Sequence, residues 1–101
     1  MKKKAKAGRR PKWRLRLYTA GKTARSMEAL ENLRNLCEEN VPGRYEIEVI
    51  DLLKNPQLAK GHEIVAVPTL VRRLPTPIRK IIGTLSDRER VLVGLQMTSK
   101  A

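Results

Sequence analysis

Phenylalanine is absent, and cysteine, histidine and tryptophan each occur once, with two tyrosines beside them. Each shortage removes a class of protein. A lone cysteine, Cys37, excludes an intrachain disulfide and a dithiol redox pair, and fits a reducing, cytoplasmic setting. A lone histidine, His62, has only Glu63 next to it, whereas metal sites need several ligands converging. It also offers no nucleophile a base-and-orienter pair. The glycines are scattered, with no phosphate-loop spacing. No apolar run approaches the ~18 residues of a membrane span. No apolar stretch follows the basic start, so no secretory signal is read. The expectation is a non-enzymatic protein without cofactor, metal or membrane contact, its core built mostly from Leu, Ile and Val.

What is abundant is positive charge. The 101 residues carry 22 Lys and Arg against 10 Asp and Glu, a formal net charge of +12. Nine cations fall within residues 1–16 (Lys2, Lys3, Lys4, Lys6, Arg9, Arg10, Lys12, Arg14 and Arg16), with no acid among them. The other thirteen basic residues nearly balance all ten acids. The excess is therefore a leading block, read as a solvated flexible arm over residues 1–11 followed by one domain over residues 12–98. A nucleic-acid-binding arm is the second reading of the same block. The scarcity of interleaved aromatics argues against single-strand stacking.

Trp13, Leu15 and Leu17 alternate with Arg14, Arg16 and Tyr18, which is the period of a strand. Gly21 and Lys22 break it. Thr23 or Ser26 can cap a helix whose stripe is Met27, Leu30, Leu33 and Cys37, widened by Ala29 and Leu36. That helix should stop near Asn40, before Pro42 and Gly43. Tyr45, Ile47 and Val49 alternate with Glu46 and Glu48 as a second strand. The helix between the strands makes a parallel βαβ crossover. Asn55-Pro56 starts a short helix through Lys60, ended by Gly61. From Ile64 to Ile82 the signals conflict. The run to Val71 is β-branched but broken by Pro68, and Ile78, Ile81 and Ile82 have helical spacing with strand-forming side chains. Ser86-Asp87-Arg88-Glu89 reads as a capping box ahead of a helix with Val91, Leu92 and Leu95 on its apolar face. Gly94 within that helix costs roughly 1 kcal/mol relative to Ala.

Strand, helix, parallel strand and a later Val67-Pro68-Thr69 together resemble thioredoxin-like proteins, in which such a proline is commonly cis. Thioredoxin chemistry needs a low-pKa thiolate at a helix N-terminus. Here the equivalent loop, Ala20 to Ser26, has no cysteine, and Cys37 lies about three turns on, along the apolar stripe.

A more specific likeness covers about Leu15 to Leu95. The segment Val49-Ile50-Asp51-Leu52-Leu53-Lys54-Asn55-Pro56-Gln57-Leu58-Ala59 resembles the V-I-D-V-L-K-N-P-x-L-A of the KaiB family. Leu17-Tyr18-Thr19-Ala20-Gly21 resembles its L-Y-V-A-G, and Val67-Pro68-Thr69-Leu70 its T-P-T-L. Leu74 to Gly83 resembles L-P-P-P-x-R-R-I-I-G, and Leu85-Ser86-Asp87-Arg88-Glu89 with Val91 to Leu95 completes the series. Order and spacing together make the match strong.

The resemblance implies a protein without a catalytic site that binds a KaiC-type ATPase. KaiA or a KaiC-linked histidine kinase are further implied partners, and a dimer or tetramer an implied oligomer. It also implies a constant N-terminal half and a C-terminal half that takes either of two arrangements, thioredoxin-like βαβαββα or ground-state βαββααβ. Ile64, Val67, Pro75, Pro77, Ile81, Gly94 and Gln96 lie in the half that would rearrange. Lys54, Asn55 and Lys60 near the short helix, with Arg72, Arg73, Arg79 and Lys80, are the expected partner-binding residues. Two departures, Gln96 where the family commonly has Asp and the basic block, suggest a homologue from a bacterium with KaiC but no KaiA. A thioredoxin-like stress-response or signalling module without a clock role is the alternative.

Overall fold

The alternating Trp13, Leu15 and Leu17 do form a strand. In a computed structural model, which describes residues 12–97, β1 runs Trp13–Thr19 and pairs in parallel with β2, Tyr45–Asp51. The expected arm, residues 1–11, and residue 98 lie outside the described residues. Between the strands, α1 spans Ala24–Asn40, and the Thr23 hydroxyl caps it by accepting the Ser26 N–H at 3.2 Å. Its buried stripe is Ser26, Ala29, Leu33, Leu36 and Cys37. Met27, expected on that stripe, is half exposed, because the helix turns its Ala29–Leu33 line to the sheet.

Pro56 precedes a one-turn helix α2, Gln57–Gly61. The conflicting stretch then resolves as a β-hairpin, β3 (Thr69–Leu74) and β4 (Arg79–Ile82), before the last helix α3 (Arg88–Leu95). Helical spacing of Ile78, Ile81 and Ile82 loses to antiparallel pairing, which sets Ile81 opposite Leu70 and Ile82 opposite Thr69. The cap of α3 also sits one residue later than the capping box places it. Asp87 Oδ1 accepts the Arg90 N–H at 3.2 Å, while Ser86 engages Thr84 instead.

The sheet order is β2-β1-β3-β4, with β3 antiparallel to both its neighbours. Of the two arrangements the resemblance allows, the structure has βαβαββα. Leu15, Leu17 and Leu70 face α1 and α3 and form the main core with Leu33, Leu36, Val91 and Leu95. On the opposite face a smaller cluster of Tyr18, Ile64 and Val71 is covered by Leu52 and Ala59 around α2. The far half of that second face, toward Arg14 and Leu74, has no helix over it among the described residues and forms an open groove.

One carboxylate ties the two loops above the sheet. Asp51 Oδ1 accepts the N–H of Leu53 at 2.9 Å and of Gly21 at 3.0 Å, the latter in a left-handed turn (φ 76°) suited to glycine. The Leu53 and Gly21 amides hold the Asp51 carboxyl below its ordinary value. A lowered native pKa stabilises the fold above the unfolded-state value near 4 and loses that contribution as pH falls through the native one. The urea midpoint of Asp51→Ala should therefore lie below that of the parent at pH 7, and the gap should close as pH drops below about 4. A gap independent of pH would contradict this role.

Candidate partner-binding surface

The loop that would carry a thiol in a redox protein is occupied by the Gly21 turn and the Thr23 cap, and the only cysteine points the other way. Cys37 is fully buried in the main core, and burial, followed by the charge of Glu38, pushes its thiol up to about 12. A thiol that stays protonated at neutral pH is a packing group, not a nucleophile. Among the described residues no three His, Cys, Asp or Glu side chains gather as metal ligands. His62 is half-buried, with Nδ1 hydrogen-bonded to the buried Tyr18 hydroxyl. The Val67–Pro68 peptide bond is cis, as are those before Pro75 and Pro77.

The candidate contact residues divide into two groups. Lys54, Asn55 and Lys60 are exposed along the approach to α2 and its single turn. Lys80 reaches back across the sheet to the end of that helix, its Nζ donating to the Glu63 carbonyl at 3.3 Å and the His62 carbonyl at 3.5 Å. This brings the α2 cations and β4 onto one side of the molecule. Arg79 is exposed on β4, and Arg73 lines the open groove with Arg14 and Arg16.

Arg72 is the correction. Expected beside Arg73 as surface charge, it is 1% exposed. The register explains the difference. Arg72 stands opposite Leu15, on the face that packs under the helices, and a bulge lets Arg73 slip past before Leu74 meets Arg14. Inside, the Arg72 Nη1 donates to the Leu95 carbonyl at the end of α3, and Nη2 to the Pro77 carbonyl at 2.6 Å. Its guanidinium lies 5.7 Å from the centre of the Trp13 ring. Burial, then the charge of Arg79, lowers its pKa from the ordinary arginine value, which is high enough to keep the group charged. Sequence reasoning missed this role, and with it the roles of Trp13 and of two main-chain carbonyls. The signal was the alternation from Leu70, which turns Arg72 inward, but the proline-broken run hid where the strand begins.

Of the residues in the half that would rearrange, Ile64 is buried against Tyr18, and Ile81 lies against Gly94 between β4 and α3. Gln96 closes α3 in the left-handed conformation (φ 56°). Val67 precedes the cis Pro68, and Pro75 and Pro77 shape the hairpin turn.

A four-stranded mixed sheet with α1 and α3 on one face and α2 on the other is a thioredoxin-like domain, here without a thiol at the loop where such domains react. The N-terminal domain of Synechococcus elongatus SasA superposes with a TM-score of 0.71 at 19% identity, over 100% of this chain and 98% of that one. Chloroplastic thioredoxin z superposes at 0.69 and 22% identity, over 87% and 80%. These likenesses are of fold. The KaiB domain model matches residues 16–97. The circadian clock oscillator protein KaiB of Microcystis aeruginosa is 57% identical over 83 residues, 82% of this chain and 80% of that protein. The KaiB protein of Parasynechococcus marenigrum is 58% identical over the same shares. The chain belongs to the KaiB family.

Removing the buried guanidinium tests its structural role. Arg72→Ala should lower unfolding stability by about 2–4 kcal/mol, since two charge-assisted hydrogen bonds and a cation–π contact go together. Arg72→Lys should recover little of it, because one ammonium does not span both carbonyls. Urea unfolding followed by Trp13 fluorescence reads both. A lysine variant equal to the parent would contradict the assignment.

Proposed function

We propose that this protein is a clock-type regulator that binds a KaiC-type ATPase hexamer and modulates its phosphorylation and ATPase cycle without chemistry of its own. Family membership across residues 16–97 is the observation that carries the reading, because that span includes every candidate contact residue. The contact surface is the side that joins α2 to β4. Lys54, Asn55, Lys60 and Lys80 stand exposed there, with Arg73 beside them on β3 and Arg79 exposed at the other face of β4, opposite Arg72. Cations arranged this way orient and accelerate docking on an acidic surface more than they deepen affinity.

The thioredoxin-like arrangement is the binding-competent one in this reading, and βαββααβ is the resting one. If the resting form dominates, association is slow, since only the competent fraction docks. A homo-oligomer belongs to the resting form. Ile78, Ile82 and Val93, all more than half exposed, supply apolar area for it. KaiA and a KaiC-linked histidine kinase are the further partners this reading allows.

Charge reversal at Arg79 and Lys80 should weaken binding of the ATPase at least tenfold, because like charges set against an interface cost several kcal/mol. Circular dichroism should remain that of the parent, since Arg79 is exposed and Lys80 holds only carbonyls that water can also satisfy. Calorimetric titration of the double variant is the check, and unchanged affinity would overturn this placement of the surface.

A further inference from the structure

β4 is the last strand of the sheet. It pairs with β3 on one side, and among the described residues no strand pairs with the other. The register shows which main-chain groups this leaves open. Ile81 stands opposite Leu70 and Arg79 opposite Arg72, and two residues past Ile81 the Gly83 N–H donates to the Pro68 carbonyl at 2.9 Å. Bonded and unbonded pairs alternate along an antiparallel ladder, so Gly83, Ile81 and Arg79 direct their main-chain groups to β3. Lys80 and Ile82 then each turn an N–H and a C=O toward the open edge. Natural sheets often blunt such an edge with a lysine. Here the Lys80 Nζ is drawn back across the sheet to the Glu63 and His62 carbonyls, at 3.3 and 3.5 Å.

The side chains along this edge form a pattern. On the face that carries α2, Ile78 and Ile82 are 59% and 60% exposed, with Lys80 between them. On the α3 face, exposed Arg79 is followed by Ile81, which borders a groove of about 470 Å³ between β4 and α3. Val91 and Arg90 line that groove, and Asp87, the acid among its lining residues, caps α3. Residues 64–86 contain four Lys and Arg and no Asp or Glu. The ion pairs among the described residues engage Arg14, Arg16 and Arg88, so Arg79, Lys80 and Arg90 have no carboxylate there.

We infer that the open edge of β4 takes up an extended acidic segment of another protein as an added strand. The outward groups of Lys80 and Ile82 supply the main-chain bonds, and directly opposed side chains supply the selectivity. Along Ile78-Arg79-Lys80-Ile81-Ile82 the complement is apolar, acid, acid, apolar, apolar. A second copy of this chain does not offer that complement. With Glu48 of its other edge strand β2 opposite Lys80, Arg79 meets Ile47 or Val49, depending on direction. A second β4 brings its own cations. The site shares Lys80 with the surface proposed for the ATPase but does not rest on that reading.

The test uses the full chain, without any ATPase, and two fluorescein-labelled peptides, one centred on Val-Glu-Glu-Val-Val and one on the reverse order. At least one should bind saturably by fluorescence anisotropy at low salt, and replacing both of its glutamates by lysine should weaken binding at least tenfold. Amide hydrogen exchange read by NMR separates strand addition from charge attraction. The Lys80 and Ile82 amides should slow at least tenfold on saturation, whereas the Ile81 amide is protected with and without peptide. Ile82→Pro removes an outward N–H and leaves the β3 ladder intact, so it should lose the peptide with the circular dichroism of the parent, while Ile82→Val keeps it. If the proline variant unfolds, the exchange result decides. No saturable binding of either acidic peptide up to about 1 mM would overturn the proposal. So would binding that leaves the Lys80 and Ile82 amides unprotected, or equal binding of the lysine peptide. Protection of those amides that grows with protein concentration alone would assign the edge to a second copy instead.

Discussion

Arg72 puts a full positive charge between the sheet and its helices, and among the described residues no carboxylate pairs with it. Three groups set partial negative charge against it, namely the Leu95 carbonyl at the C-terminal end of α3, the Pro77 carbonyl in the hairpin turn and the face of Trp13, while its Nε has no hydrogen-bond partner among the described residues. Those three groups come from α3, from the β3–β4 turn and from β1. One side chain thus fastens both elements of the C-terminal half to the first strand of the N-terminal half. Arginine suits the place because its planar fork addresses two acceptors at once. Around it the C-terminal half is slight, with a four-residue β4 and an eight-residue α3 held by Val91, Leu95 and Ile81. An arrangement that rests on one polar node and a few apolar contacts is the kind in which two packings of one sequence lie within a few kcal/mol.

The N-terminal half was legible in the sequence because its local signals agree. Trp13 to Tyr18 alternate cleanly, Thr23 caps, Leu33 and Cys37 repeat at helical spacing, and Tyr45 to Val49 alternate again. Each of these elements stands where the pattern puts it, although Met27 and Val49 are turned outward and Tyr18 is buried. The C-terminal half was less legible for a physical reason. Pro68, Pro75 and Pro77 interrupt every run there, and Ile78, Ile81 and Ile82 suit two structures equally until β4 finds β3 as a partner. Pairing over a distance in sequence decided the matter, and no window of local sequence contains it.

The candidate surface was legible as charge but not as geometry. Arg73, Arg79 and Lys80 stand at the surface, as composition suggests, whereas Arg72 belongs to the core because a bulge separates it from Arg73. The same limit applies to the open groove. Arg14 and Arg73 are far apart in sequence, and only the antiparallel pairing of β1 with β3 makes them neighbours. By contrast, the burial of Cys37 was readable at once, since it falls on the apolar stripe of α1.

These features make a thioredoxin-like scaffold with no thiol at the turn around Gly21 and with exposed cations on the sheet and near the short helix. The claim that this surface serves a KaiC-type ATPase is tested most directly by mixing the full chain with the KaiC-type ATPase of its own organism. The mixture is incubated with ATP for hours, and subunits are counted by native mass spectrometry. The account predicts a stoichiometric complex on the hexamer that forms slowly. A folded protein that leaves the hexamer bare at high concentration would contradict it.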